Sequence, residues 1–393
     1  MTAKKGFNTR AVSDGELKDE RFGNVATPIF ENATFVYPNF ADDRYSDSKT
    51  NDSFIYSRWG NPTVNALEQK YASLEGVKNS LGFSTGMSAI TTLLLSMGKM
   101  EKKALSIFDL YGQTLSFFRN KYSSMTGNKV DFISVDKLNS LDFNPSEYSM
   151  IYLESITNPS MKVLDIMEIG KLCREKGIAL ITDATFASPF NQNPSEMGSD
   201  YVVHSGTKYL NGHSDTMSGF LGSNLDLGKA FDMRKNFGGS LDAIQAFLIQ
   251  RGMKTLGIRM ERHNSNAVAI AEFLKEHSKV ISVMYPGLTD DKYHSIGKKN
   301  LRGYGGMLSF RVKGGLEGAR KFLSSLEYVA PAPSLGGVES LTTLPVDTSH
   351  ASASLIYVCM FFVVSYNLSI YFMFIALIVI MYLGNCAGRK ESR

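Results

Sequence analysis

Five short segments dominated by apolar residues constrain the fold of this 393-residue chain more than any other feature. They lie at 104–108, 130–135, 150–153, 178–182 and 201–204. Segments of this length and character are typical of buried strands. Helical stretches, such as 64–74 and 165–175, separate them. This alternation predicts an α/β fold in which a sheet is covered by helices.

The chain divides into four predicted parts. An irregular arm over 1–51 precedes a first domain over 52–238, and a pair of glycines then marks a break before a long helical region at 241–277. A second domain is expected over 239–354 and an apolar tail over 355–393. With 43% hydrophobic residues, a chain of this length can bury the cores of a larger and a smaller domain.

Charge and cysteine content argue against several classes of protein. A net charge of +4, with no dense basic run in the first 350 residues, gives no argument for nucleic acid binding. Cys173, Cys359 and Cys386 have neither metal-site spacing nor a paired framework, and the six histidines are scattered, so no metal is expected. The first 40 residues lack the apolar core of a secretory signal. These features suit a reducing cytoplasm.

The segment at 205–209, SGTKY, follows one of the predicted strands and places Lys208 beside two hydroxyl groups. Pyridoxal 5'-phosphate needs one amine to form a Schiff base with its aldehyde, and short neutral donors such as Ser205 and Thr207 suit its phosphate. Taken alone, the motif is equally compatible with a solvated loop lysine. Other parts of the sequence must therefore decide between the two interpretations.

Three further segments favour the cofactor site. Asp183 follows the strand at 178–182, where α/β sheets bind ligands and where an acid can pair with a pyridinium nitrogen, although a helix cap is the usual role of an isolated Asp. The segment STGMS at 84–88 opens an apolar helix, whose start suits a phosphate. Tyr111 follows the strand at 104–108 and offers a ring that can stack on a flat heterocycle.

Together these motifs resemble the Cys/Met-metabolism family of pyridoxal phosphate enzymes, which includes cystathionine γ-synthase, cystathionine γ-lyase, O-acetylhomoserine sulfhydrylase and methionine γ-lyase. The resemblance extends from about residue 8 to 352. The motifs that carry it are Tyr56, Ser57 and Arg58, with Asn61, Pro62 and Thr63; 84–87; Tyr111 and Gly112; Glu154, Asn158 and Pro159; Asp183; 205–208; 238–241; 259–264; and 334–341.

The resemblance implies fold type I of the pyridoxal phosphate-dependent transferases, which is aspartate aminotransferase-like and has a large mixed-sheet cofactor domain and a smaller C-terminal α+β domain. It also implies Lys208 and Tyr111 as catalytic residues. Lys208 would bind the cofactor covalently and shuttle protons, and Tyr111 would stack on the ring and act at the leaving group. The implied cofactor-binding residues are Tyr56 and Arg58, reaching from a neighbouring subunit, together with Gly86, Met87, Tyr111, Asn158, Asp183, Ser205, Thr207 and Lys208. Ser334 and Glu339 are the implied substrate-binding residues.

The expected reaction is γ-replacement on an O-acylhomoserine, giving cystathionine with cysteine or homocysteine with sulfide, in transsulfuration and methionine biosynthesis. The alternatives are γ-elimination by a cystathionine γ-lyase or a methionine γ-lyase. Gln113 stands where methionine γ-lyases typically have a cysteine, which counts mildly against that branch. Glu339 occurs in synthases and cystathionine lyases alike and does not separate them. The family also implies small amino-acid substrates and a homotetramer built as a dimer of dimers.

The chain departs from the family after residue 353. The stretch 355–383 is almost wholly apolar, and no Asp, Glu, Lys or Arg lies between Asp347 and Arg389. Its length would span a bilayer, so one interpretation is a tail anchor and a membrane-associated protein. Arg389 and Lys390 beyond the apolar run oppose that interpretation, because a cytoplasmic body would require them to cross the membrane.

The family has, in this region, a strand with an arginine that binds the substrate α-carboxylate, followed by a closing helix, and neither is visible in the sequence. A reading-frame error or a mis-spliced gene that replaced the normal ending is therefore the favoured interpretation. We expect an incomplete second domain, weak substrate binding and low solubility. An inactive cofactor-binding protein is the corresponding alternative function.

Overall fold

A computed structural model of the chain describes residues 5–36 and 54–347, and the backbone of 360–363. Its larger sheet has seven strands in the order β1-β7-β6-β5-β4-β2-β3. The strands are β1 (Asn79–Phe83), β2 (Lys103–Ile107), β3 (Val130–Ile133), β4 (Tyr148–Glu154), β5 (Ala179–Asp183), β6 (Tyr201–Ser205) and β7 (Gly219–Ser223). Strands β2 to β6 pair in parallel, whereas β7 is antiparallel to both β6 and β1. The mixed sheet agrees with the predicted fold class.

The five parallel strands are those that the apolar segments predict, with no end displaced by more than two residues. Strands β1 and β7 were not predicted. Their sequences, NSLGF and GFLGS, contain glycines, which lower strand propensity and interrupt the apolar pattern. Tertiary pairing along one edge of the sheet overrides that local preference.

Thirteen α-helices accompany the strands in the described part of the chain. In chain order they are α1 (Phe7–Ser13), α2 (Pro62–Glu75), α3 (Gly86–Ser96), α4 (Gly112–Phe117), α5 (Ser123–Thr126), α6 (Val135–Asn139), α7 (Ile166–Lys176), α8 (Ser188–Asn191), α9 (Gly228–Phe237), α10 (Ala243–Met253), α11 (Leu256–Glu276), α12 (His294–Asn300) and α13 (Gly315–Ser324). Local chemistry sets the ends of α2. The Asn61 side chain accepts the N–H of Thr63 at 2.9 Å, Pro62 takes the first helical position, and Gly76 ends the helix at φ 77°.

The long helical region predicted at 241–277 is confirmed and consists of two helices, α10 and α11, with a break at residues 254 and 255. Arg259 of α11 is buried and folds back on the break. Its guanidinium donates to the Gly252 carbonyl at 2.9 Å and to the Tyr209 carbonyl at 2.8 Å. Its Nε donates to Thr255 Oγ1 at 3.0 Å. These contacts stabilise the end of α10 and tie the break to the segment that contains Lys208.

The smaller sheet has five strands in the order β10-β11-β12-β9-β8. They are β8 (Val280–Met284), β9 (Met307–Val312), β10 (Ala330–Pro331), β11 (Leu341–Thr343) and β12 (Met360–Val363). Strand β12 comes from the apolar stretch and pairs antiparallel with β11 and β9. The sheet thus contains a strand at a position that we expected to be empty, because an apolar run supplies the backbone groups and β propensity that a central strand needs.

The remainder of the predicted tail lies outside the described residues. Among the residues that the structure describes, no helix has the length and apolar character needed to cross a membrane.

Two hydrophobic cores meet along α11. Its first half, with Leu256 and Met260, packs into the core of the larger sheet. Its second half, with Ala267, Ile270 and Leu274, packs into the core of the smaller sheet. One rigid helix therefore links the two layers, and the packing changes from one core to the other within α11 rather than at the glycine pair before α10.

Candidate active site

A cavity of about 270 Å³ opens at the carboxyl ends of three neighbouring parallel strands. Glu154 of β4, Asp183 of β5 and Ser205 of β6 line it at one side, and the start of α3 lines it at another. Open α/β sheets bind ligands at this edge, because the loops that follow parallel strands converge there. Residues 333–335 and Thr343 from the second domain complete the wall.

The cavity brings together most of the residues that the sequence singled out. The predicted site residues that line it are Gly86, Met87, Tyr111, Asn158, Asp183, Ser205, Thr207, Lys208 and Ser334. The other three predicted site residues, Tyr56, Arg58 and Glu339, do not line the cavity of the chain to which they belong. Tyr56 is 39% exposed, and the Arg58 guanidinium stacks on its ring at 5.3 Å. Glu339 accepts a short hydrogen bond from Ser214 Oγ instead of lining the cavity.

Lys208 follows β6 directly and is the one Lys or Arg among the described residues that line the cavity. Its Nζ donates to Ser334 Oγ at 3.1 Å. Burial lowers the pKa of the Lys208 amine, because the charged form loses its hydration. A larger fraction of the amine is therefore neutral near physiological pH, and the neutral amine is the nucleophile that attacks an aldehyde.

The start of α3 forms an anion-binding corner against the end of β6. Thr85 caps the helix by accepting the Ser88 N–H at 3.0 Å, and the first N–H groups of a helix lack partners within the helix. Gly86 permits the close approach, since a Cβ there would lie 2.9 Å from the Ser205 Cβ. Thr207 completes the corner, with its hydroxyl 3.0 Å from the Ser218 N–H that donates to it.

Asp183 is buried and hydrogen-bonded to Thr185 through the Thr185 N–H at 3.0 Å and Oγ1 at 2.6 Å. Burial raises the pKa of the Asp183 carboxyl, and these two hydrogen bonds oppose the rise. No ion pair joins Asp183 to a Lys or Arg in the described ranges. A buried carboxylate in that state suits a cationic partner such as a protonated ring nitrogen.

Asn158 and Tyr111 lie on the two loops that flank this carboxylate. The Asn158 Oδ1 is buried and has no hydrogen-bond partner among the described residues. A buried polar atom in a cavity wall is typical of a site that awaits a ligand. Four groups together fit pyridoxal phosphate. They are the anion-binding corner at the start of α3, the Asp183 carboxylate without a Lys or Arg partner in the described ranges, the Asn158 amide oxygen without a hydrogen-bond partner there, and the Lys208 amine.

Among the cavity residues to which sequence reasoning gave no role, two are polar and lie at the ends of β4 and β5, namely Glu154 and Thr185. Glu154 carries part of the family resemblance, but we assigned it no role, and Thr185 was read only as part of the segment after Asp183. Glu154 ends β4 and lies in register with Asp183. The detectable signal was its position, because both acids end adjacent predicted strands.

Comparison with known proteins agrees with this geometry. The family model described as "Cys/Met metabolism PLP-dependent enzyme" matches residues 8–355. Cystathionine gamma-lyase of Dictyostelium discoideum is 38% identical over 351 residues, which is 88% of each chain. L-methionine gamma-lyase of Fusobacterium nucleatum subsp. polymorphum is 35% identical over 89% of each chain.

A solved structure of cystathionine gamma synthase from Xanthomonas oryzae pv. oryzae, in complex with aminoacrylate and cysteine, has a TM-score of 0.88 at 29% identity. The match covers 97% of this chain and 98% of that one. These relatives share the fold and carry out different reactions. The chain belongs to the Cys/Met metabolism family of pyridoxal phosphate-dependent enzymes.

Proposed function

We propose that this chain catalyses γ-replacement on an O-acylhomoserine, giving cystathionine with cysteine or homocysteine with sulfide. The observation that carries the proposal is the placement of the Lys208 amine, in hydrogen-bond contact with Ser334, in the same cavity as the Tyr111 ring and the Asp183 carboxylate. When bound, pyridoxal phosphate supplies an electron sink for bonds at the substrate carbons. The chain's own residues bind, orient and move protons around it.

Cofactor binding is assigned to the two sides of the cavity. The N–H groups of Gly86 and Met87 and the hydroxyls of Ser205 and Thr207 would hold the phosphate, because they form the anion corner at the start of α3. Asp183 would hold the ring nitrogen in its protonated form. Tyr111 and Asn158 would contact the ring from the two neighbouring loops, and the Lys208 amine would hold the cofactor covalently.

Proton movements are assigned to two groups. The Lys208 amine, with its lowered pKa, takes and returns protons at the substrate carbons. Burial, followed by the charge of Glu154, raises the pKa of the Tyr111 hydroxyl, so this group stays protonated at neutral pH. A protonated phenol beside the cavity can donate to a leaving group as it departs.

Substrate binding is assigned to Ser334 and Glu339. Ser334 lies beside Lys208, and its hydroxyl donates to the α-carboxylate of the substrate. Glu339 is half-buried and held by Ser214, and its carboxylate suits the ammonium group of the second amino acid. Because Lys208 is the one basic side chain among the described cavity residues, we expect the substrate carboxylate to bind weakly, with a high KM.

Tyr56 and Arg58 are assigned to the active site of a neighbouring subunit in a cytoplasmic homotetramer. Both side chains are exposed in their own chain, and the fork of donors on Arg58 suits a phosphate. A dimer is then the smallest active unit.

Product analysis tests the proposal. Purified protein with pyridoxal phosphate and O-acetylhomoserine is supplied with cysteine, with sulfide or with neither, beside a Lys208→Ala control. A sulfur-containing product that is absent in the control supports γ-replacement. Release of 2-oxobutyrate alone favours the second candidate, cystathionine γ-elimination, which the similarity to the Dictyostelium lyase supports. Cofactor binding without any product would contradict both.

A further inference from the structure

Glu154 is a buried carboxylate that connects the two loops on either side of the cavity. Its Oε1 accepts the backbone N–H of Tyr111 at 2.6 Å, and its Oε2 accepts the backbone N–H of Asn158 at 3.2 Å. Tyr111 follows β2 and Asn158 follows β4, and these strands are neighbours in the sheet. One side chain thus fixes the backbone of both loops at the positions that enter the cavity.

Burial of the charged Glu154 carboxylate is unfavourable for folding. Burial raises the pKa of this carboxyl well above its ordinary range, and the adjacent Asp183 adds to the rise. The two N–H donors oppose it, but no ion pair reaches Glu154 within the described ranges. A neutral side chain would be cheaper to bury at this position. A feature that opposes stability at a cavity wall is typical of a functional constraint.

We infer that Glu154 is a positioning residue that holds Tyr111 and Asn158 at the two sides of the bound cofactor ring. Its two carboxylate oxygens accept one N–H from each loop, and no other residue type of this length offers two equivalent acceptors. The inference rests on the proposed placement of Tyr111 and Asn158 against the cofactor. Glu154 acts through these residues rather than on the reacting atoms.

The substitution Glu154→Gln tests this role with almost no change in size. The amide retains one acceptor oxygen, whereas its NH₂ group faces the second backbone N–H, so one loop loses its anchor. Glu75→Gln is the matched control, because Glu75 is also a buried glutamate but accepts from His204 outside the cavity. Three properties are measured for each variant: the cofactor Kd of the apoprotein, the visible circular dichroism of the bound cofactor, and the Tm of the apoprotein.

We expect Glu154→Gln to weaken cofactor binding roughly tenfold, in line with the loss of one hydrogen bond to a charged group, and to change the visible circular dichroism. The apoprotein Tm should stay close to that of wild type, because removal of a buried charge offsets the cost of the backbone N–H that loses its acceptor. Glu75→Gln should leave cofactor Kd and dichroism unchanged. Glu154→Asp keeps the charge and both acceptor oxygens on a shorter side chain. Its cofactor Kd and dichroism should therefore lie between those of wild type and Glu154→Gln.

Two results would overturn the inference. One is a Glu154→Gln protein with wild-type cofactor affinity and dichroism. The other is a Glu154→Gln apoprotein that melts lower or does not fold, which would assign Glu154 to stability. Tyr111→Ala separates this failure from that of the proposed function: unchanged cofactor dichroism in Tyr111→Ala would contradict the placement of the ring, whereas a change there but not in Glu154→Gln would contradict only the positioning role.

Discussion

The protein buries acidic side chains in two different ways. Glu75 of α2 lies against His204 of β6, with Oε2 3.0 Å from Nε2, and the two side chains are 0% and 1% exposed. Asp183 and Glu154 end β5 and β4 at the cavity and accept hydrogen bonds, but form no ion pair with a Lys or Arg in the described ranges. Because side chains alternate along a strand, His204 faces away from the cavity that Ser205 lines.

We interpret the difference as one between an acid that supports the fold and acids whose proposed role is to serve a ligand. Glu75 Oε2 is bonded to His204 inside the protein, so this contact exists before any ligand arrives, although Glu75 Oε1 has no hydrogen-bond partner among the described residues. Asp183 and Glu154 accept hydrogen bonds from neutral donors, and the charge of His204 also lowers the pKa of Asp183; neither acid forms an ion pair with a Lys or Arg in the described ranges, which leaves their charge available to a cationic ring. We therefore expect substitutions of the first group to lower stability and substitutions of the second group to lower cofactor binding and activity.

The largest effect is expected at Glu75→Ala. This change leaves His204 buried without its partner and opens a cavity beside Tyr71, so the free energy of unfolding should fall by about 3 kcal/mol. Denaturant unfolding of the apoprotein measures it. The folded fraction should bind as much cofactor per chain as wild type. A lower stoichiometry would mean that Glu75 also contributes to cofactor binding.

Asp183→Asn should show the opposite pattern. The neutral amide no longer holds a protonated ring nitrogen, so turnover should fall on the order of 10²-fold in a steady-state assay. The apoprotein loses a buried charge and should be as stable as wild type or slightly more stable. A large loss of apoprotein stability would mean that Asp183, like Glu75, supports the fold.

The pH dependence of apoprotein stability sharpens the comparison at Lys208. Because burial lowers the pKa of its amine, the unfolded chain binds more protons than the folded chain between the lowered pKa and the ordinary lysine pKa. The contribution of Lys208 to stability therefore rises with pH through this window. Urea titrations of wild type and Lys208→Met should diverge there, with the steeper rise in wild type. Parallel curves would show that the amine is not desolvated.

The smallest effect is expected at Ser214→Ala. Its hydroxyl donates to Glu339 at the partly exposed end of the second-domain loop, so its loss should cost about 1 kcal/mol or less in stability. If Glu339 binds the second amino acid, KM for cysteine should rise while KM for the acylhomoserine stays constant. Equal changes in both constants would argue against that role.

The parallel half of the fold could be predicted from the sequence because its strands are local apolar runs. The positions of Lys208 and Asp183 followed from the same runs, since both residues come at or directly after strand ends. Strands β1 and β7 could not be predicted in this way, because their glycines weaken the local pattern, and they are ordered by pairing of β7 with β6 and of β1 with β7.

The position of the break between α10 and α11 could not be predicted from the sequence either. Most of the stretch favours a helix, and the weak local signals at the break, Gly252 and Gly257, do not fix where it falls. In the structure Arg259 bonds the carbonyls of Gly252 and Tyr209 there, and Tyr209 is 50 positions away. The role proposed for Glu154 has the same origin, since its two hydrogen bonds join loops that are separated in sequence.

The amino-acid sequence by itself determined the cofactor class, because its lysine motif, strand-end acid and helix start, together with the other short motifs in the same order, resemble one family of pyridoxal phosphate enzymes. The tertiary structure alone decided which of these groups share a cavity and which acids have no Lys or Arg partner among the described residues. Whether a buried charge is neutralised depends on distances between strands and helices that are remote in sequence, and those distances arise only when the sheet and its two cores have formed.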